Sequence, residues 1–163
     1  MTYRMSIALA SLVSGIVALY LHLWKLGIFG ALACGSGGCE YVQGSRYGWF
    51  LGVDVALIGA VGYAAVVVVA VLGTLRRWED ARWPTLALMA LIFPAVAFTL
   101  RLKWAEFIVL RSFCPWCAVS AVTITLCTAL VLLDWRRLKR DAAEYGDTDD
   151  RDVDARDEVA SGV

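Results

Sequence analysis

The 163-residue chain has no formal net charge at pH 7, yet 60% of it is hydrophobic, well above the roughly 45–50% usual for soluble globular domains. That excess argues against a water-soluble fold, and no basic patch points to nucleic acid. Nine of the fifteen acidic residues lie beyond Leu138, so the zero balance hides a strong asymmetry.

The apolar residues fall into four blocks, each long enough for the roughly 20 helical residues that cross a bilayer. The first runs from about Met5 to Leu23. A cleaved signal peptide is the rival reading of it, but bulky residues around Leu21 to Lys25 offer no clear cleavage site. The second block runs from about Trp49 to Leu75 with Asp54 as its only charge. The third starts at Pro84 and is apolar to Leu100, with a continuation past Arg101 and Lys103 left open; Pro94 within it predicts a kink. The fourth is free of charge from Pro115 to Leu133. All seven tryptophans, from Trp24 to Trp135, lie near predicted span ends, as an interfacial aromatic belt requires. The expected fold is an all-α integral membrane protein, a four-transmembrane-helix bundle with a redox-active outer loop. Residues 1–138 form the membrane domain, and 139–163 an acidic tail too poor in large apolar residues to fold.

Arg4, Arg76, Arg77, Arg82, Arg136, Arg137, Lys139 and Arg140 gather on one side of this arrangement, against Lys25, Arg46, Arg101, Lys103 and Arg111 on the other. The positive-inside rule then puts both termini in the cytoplasm. Cys34, Cys39, Cys114 and Cys117 consequently face the outer side of a plasma membrane, where disulfides persist. Cys127, mid-span between Leu126 and Thr128, reads as a small buried apolar residue.

Cys114-Pro115-Trp116-Cys117 opens the fourth helix, with proline at a favoured first-turn position. Cys114 can cap that helix, and Cys117 falls on the same face three residues on. Orphan N–H groups and the positive end of the helix dipole stabilise a thiolate there, the species that attacks disulfides or electron-poor acceptors. Cys34 and Cys39 enclose Gly35, Ser36, Gly37 and Gly38, a segment free to close a small disulfide ring and to move when it opens. Four cysteines allow three pairings, and an electron relay uses more than one of them. The alternatives are a fixed structural disulfide beside inert thiols, and a tetrahedral zinc site. His22, at the end of the first span, reads as an interfacial or inter-helix polar contact ahead of a proton relay. Asp54 reads equally as a functional intramembrane charge and as a group reaching interfacial water.

The cysteine pair in the first outer loop, Ser45-Arg46-Tyr47-Gly48 leading into a span with Gly52, Gly59, Gly62 and Tyr63, and Phe113-Cys114-Pro115-Trp116-Cys117 opening the fourth together resemble the vitamin K epoxide reductase family over about Met5 to Leu133. The resemblance implies a four-helix bundle enclosing a quinone, menaquinone, ubiquinone or a relative, near the outer membrane surface. It also implies a separate, exported thioredoxin-like oxidase of the Dsb type as partner, since no such domain follows the fourth span before Val163. By the same resemblance Cys34 exchanges with the reduced partner, Cys39 shuttles between Cys34 and Cys114, and Cys117 faces the quinone. Ser45 matches a loop serine that supports the catalytic state by hydrogen bonding; an ordinary helix cap is the other reading. The chain departs from the pattern in its short Cys34–Cys39 spacing, in Asp54 where bacterial members often have proline, and in Ala121 where vertebrate members carry a tyrosine. Reduction of a respiratory quinone, rather than of vitamin K epoxide, is therefore expected.

Overall fold

The computed structural model describes residues 2–30, 38–78 and 81–161, with Thr2 and residues 145–161 by backbone alone. Its helices are α1 (Thr2–Lys25), the short α2 (Gly38–Gly44), α3 (Val55–Leu72), α4 (Trp83–Trp104) and α5 (Pro115–Ser161). Four of the described segments are long and apolar enough to cross a membrane: Tyr3–Lys25, Val55–Leu72, Trp83–Leu110 and Pro115–Glu144. Helices are the form open to a spanning chain, because each satisfies its backbone polar groups internally.

The bundle is apolar outside and more polar within. Leu9, Ile16, Val61 and Val122 are each about three-fifths or more exposed, while Ser11, Ser14, Thr85 and Thr123 are buried. In water such a surface would be one large apolar patch; in lipid it is the ordinary solvent-facing side. Helix association then rests on close packing and interhelical hydrogen bonds. α1 packs against α3 through small residues, Gly15 meeting Tyr63 and Gly59 meeting Ala18. The Ser14 hydroxyl donates to Thr123 Oγ1 at 2.7 Å, tying α1 to α5, a contact worth about 0.6 kcal/mol in a membrane interior. Cys127 is fully buried at the same interface, 3.6 Å from the Ser11 hydroxyl.

Three spans differ in extent from the sequence expectation. The second begins at Val55 rather than near Trp49, because Trp49–Phe50 and Val53–Asp54 form an antiparallel hairpin, β1 and β2, paired Trp49 to Asp54 and Phe50 to Val53. Leu51 and Gly52 turn it with φ of 52° and 81°, the left-handed pair that matches strand twist in a two-residue turn. Asp54 then caps α3, its carboxylate accepting the Ala56 N–H at 3.1 Å. The third span continues past Lys103 as a π-helical segment, Ala105–Leu110, closed by Arg111 at φ 47°. α5 remains helical through Ser161, where composition predicted a tail without structure. Ala142, Ala143 and Glu144 are strong helix formers, and Arg137 pairs with Asp141 one turn on at 3.5 Å.

At the end of the bundle away from the cysteine motif, Arg4 is buried and joins three elements. Its guanidinium donates to Asp134 of α5 at 3.0 Å, to the Gly73 carbonyl beyond α3 at 2.6 Å, and to Thr85 of α4 at 3.1 Å. Thr85 donates in turn to Asp134 at 2.6 Å.

Candidate functional site

At the opposite end, α2 lies over the start of α5. Gly38 makes this approach possible: a Cβ there would come within 2.5 Å of the Phe113 carbonyl oxygen. The next residue, Cys39, is fully buried in one cluster with Cys114, Leu21 and Ala56, and Cys117 packs against that cluster. Cys39 is engaged in a disulfide, whereas Cys114, Cys117 and Cys127 carry free thiols. Cys34 lies outside the described residues.

Cys114 is the N-cap of α5. Its carbonyl accepts the Ala118 N–H at 3.0 Å, and its sulfur accepts the Cys117 N–H at 3.3 Å, as a capping oxygen would. The Cys117 thiol is the largest influence on Cys114: its hydrogen bond holds the Cys114 pKa below the ordinary thiol value, helped by the Cys117 N–H and the Lys103 charge. Burial and the Glu106 carboxylate act in the opposite sense and do not outweigh it. Of the two thiols Cys114 is thus the better placed to be a thiolate, the nucleophilic form. Cys117 accepts a hydrogen bond from the Gln43 side chain at 3.5 Å.

Cys117 also lines a cavity of about 460 Å³ between the helices, with Gln43, Tyr63, Pro94, Phe98 and Ser120 among its walls. The lining is almost wholly apolar, with a few polar groups: Tyr63 Oη lies 2.6 Å from Ser120 Oγ, one turn along α5 from Cys117. An apolar enclosure with few, placed polar groups suits a flat hydrophobic ligand.

The hairpin covers the cavity at this end of the bundle, with Phe50 in its wall. Phe50 stacks edge-on with Phe98 at 5.3 Å and lies under Arg101. Lys25 donates to the Gly48 carbonyl at 3.0 Å and to Asp54 at 2.5 Å, while His22 meets Asp54 at 2.7 Å. Burial alone would raise the Asp54 pKa, but hydrogen bonds from Lys25, His22 and the Ala56 N–H together bring it below the ordinary carboxylate value. His22 and Asp54 are therefore an inter-helix contact that holds α1 to the hairpin. Ser45 is used locally: its hydroxyl donates to the Val42 carbonyl at 2.7 Å and accepts the Tyr47 N–H at 3.3 Å, capping the short helical turn Arg46–Gly48. Among the described residues it makes no hydrogen bond to a sulfur.

Sequence reading missed Glu106 and Gln43. Glu106 is buried, accepts the Cys114 N–H at 2.7 Å through Oε1 and pairs with Lys103 at 2.6 Å through Oε2. The available signal was that it is the only acidic residue between Asp80 and Asp134, and an ionisable group within a span is a functional candidate by default. Gln43 carried no comparable signal.

A sequence model of the vitamin K epoxide reductase family matches residues 5–132, most of the chain. The chain belongs to that family, whose members are oxidoreductases built on membrane-embedded helical bundles.

Proposed function

We propose that this member of the vitamin K epoxide reductase family is a membrane thiol:quinone oxidoreductase that reoxidises an exported thioredoxin-like protein, in support of disulfide-bond formation. The observation that carries the reading is the position of Cys117: bonded within the CxxC to Cys114, it also lines the apolar cavity, so a sulfur that can exchange with thiols stands beside a site suited to a quinone.

A thiolate of the reduced partner attacks Cys34 of an oxidised Cys34–Cys39 pair, forming a mixed disulfide and releasing Cys39. Cys39, already packed against Cys114, attacks it when the CxxC is oxidised, and Cys117 leaves as thiolate. Each exchange needs a good attacking and a good leaving thiolate. The partner's second thiol resolves the mixed disulfide and releases Cys34, which attacks Cys39 of the Cys39–Cys114 bridge; the Cys34–Cys39 disulfide is restored and Cys114 and Cys117 are left reduced. A bound quinone would supply the sink for two electrons and two protons, so partner dithiol plus quinone gives partner disulfide plus hydroquinone. Gln43 orients the Cys117 sulfur, and the hairpin excludes water. Ser45 serves by holding the turn that carries Tyr47 and Gly48 into the cavity wall. In the membrane, the basic ends of the spans favour cytoplasmic termini and outward-facing cysteines.

The test is quinone reduction by the purified protein, followed by absorbance with a reduced thioredoxin-like protein as donor. Wild type is expected to turn over and Cys117→Ala to lose turnover. A partner whose second cysteine is replaced by Ala cannot resolve the mixed disulfide and is expected to stay trapped on Cys34. Absence of wild-type turnover with several quinones, together with stoichiometric zinc on the thiols, would replace this reading by a metal-binding one.

A further inference from the structure

The exchange chemistry moves protons as well as electrons, and the cysteines alone do not account for them. When Cys114 and Cys117 become a disulfide, one S–S bond forms, two S–H protons are released and two electrons pass to the quinone, which takes up two protons. The cavity is otherwise nearly apolar, so a proton moving between sulfur and quinone oxygen needs a group that can hold it. Glu106 is such a group. Its carboxylate is buried, binds the backbone N–H of the more acidic cysteine, and sits with Lys103 in the wall of the same cavity as Cys117.

Burying this carboxylate is costly without compensation, and Lys103 provides it at 2.6 Å. A carboxylate needed only as a peptide acceptor could be replaced by an amide or a carbonyl at lower cost. The π-helical register of Ala105–Leu110 and the left-handed Arg111 bring the end of α4 back so that Glu106 reaches Cys114, eight residues on. Among the described residues, the other titratable side chains around it are Cys114, whose N–H it accepts, and Cys117, Tyr47 and Tyr63 in the cavity wall.

The geometry points to Glu106, paired with Lys103, as the proton carrier of the CxxC centre: it takes up a thiol proton as the Cys114–Cys117 disulfide forms and returns it to an oxygen of the reduced quinone. This inference rests on the thiol:quinone reading above. Lys103 pairs with the carboxylate, and the hydrogen bond from the Cys114 N–H keeps it beside the reacting pair.

The experiment compares wild type and Glu106→Gln, whose side-chain carbonyl still accepts the Cys114 N–H but cannot carry the proton. Quinone reduction is followed across pH, and Cys114 alkylation is measured in parallel. The variant is expected to lose turnover on the order of 10²-fold, the scale of general acid–base catalysis. Its pH profile of turnover should also differ from that of wild type, while Cys114 is alkylated at least as fast as in wild type. Wild-type turnover and an unchanged pH profile in Glu106→Gln would overturn the role and leave Glu106 as a backbone acceptor. A loss of turnover matched by loss of Cys114 alkylation would overturn it too, since the cysteine would then be misplaced. Failure of wild type itself to reduce any quinone is a separate result, which removes the underlying reading.

Discussion

Cys114 and Cys117 differ by three positions and a few ångströms, yet they do different work. Cys114 caps the helix and collects hydrogen bonds from the Cys117 thiol and N–H, whereas Cys117 faces the cavity. A depressed pKa keeps Cys114 ionised at pH values where an ordinary thiol, with a pKa of about 8.5, is protonated. Its alkylation by iodoacetamide, resolved by mass spectrometry, should therefore persist as pH is lowered past that value and fall off only through the depressed pKa. Cys117→Ala removes the main donor, so the midpoint should rise towards the ordinary range; an unmoved midpoint would deny Cys117 that influence. The CxxC was legible in the sequence, because its proline and its place before an apolar run set the cap. Glu106 was not, because its approach to Cys114 depends on a π-helical turn that no residue pattern announced.

Among the elements, α2 and the hairpin are the parts that bring the site together. α2 reaches the CxxC because Gly38 lets its backbone approach Phe113. Gly38→Ala forces a Cβ into a carbonyl oxygen and must lift α2, carrying Cys39 away from Cys114. A displacement of about 1 Å can slow a positioned reaction up to about 10²-fold. The rate at which a Cys39–Cys114 bridge appears after partner addition, read by acid quench and mass spectrometry, should fall by that order; an unchanged rate would mean the approach is not needed for exchange. The glycines between Cys34 and Cys39 suggested a flexible ring, but not this contact, which involves residues 75 apart in sequence. The hairpin was hidden for a different reason: Trp49, Phe50, Leu51 and Val53 are apolar, so they read as the start of the second span, and only the Leu51–Gly52 turn and the Asp54 cap separate them from it.

Across the whole molecule, the two ends of the bundle have separate tasks. The CxxC and the cavity sit at one end, and at the other Arg4 binds Asp134, Thr85 and the carbonyl of Gly73. Arg4→Met leaves Asp134 buried without its charge partner, a loss that typically costs about 3–5 kcal/mol. Thermal unfolding in detergent should register it as a clear drop in midpoint. Turnover at low temperature should stay near wild type, because α1 separates the ends by roughly 30 Å at 1.5 Å per residue. A drop in turnover without a drop in stability would show that the ends are coupled. By itself the sequence determined the four spans and the CxxC at a helix start, since each depends on local composition and spacing. Only the tertiary structure decided that Gly38 seats α2 against Phe113, that Trp49–Asp54 fold into a hairpin, and that Glu106 reaches Cys114. Those outcomes depend on how distant segments pack, and long-range packing leaves no periodic trace in the residues that take part.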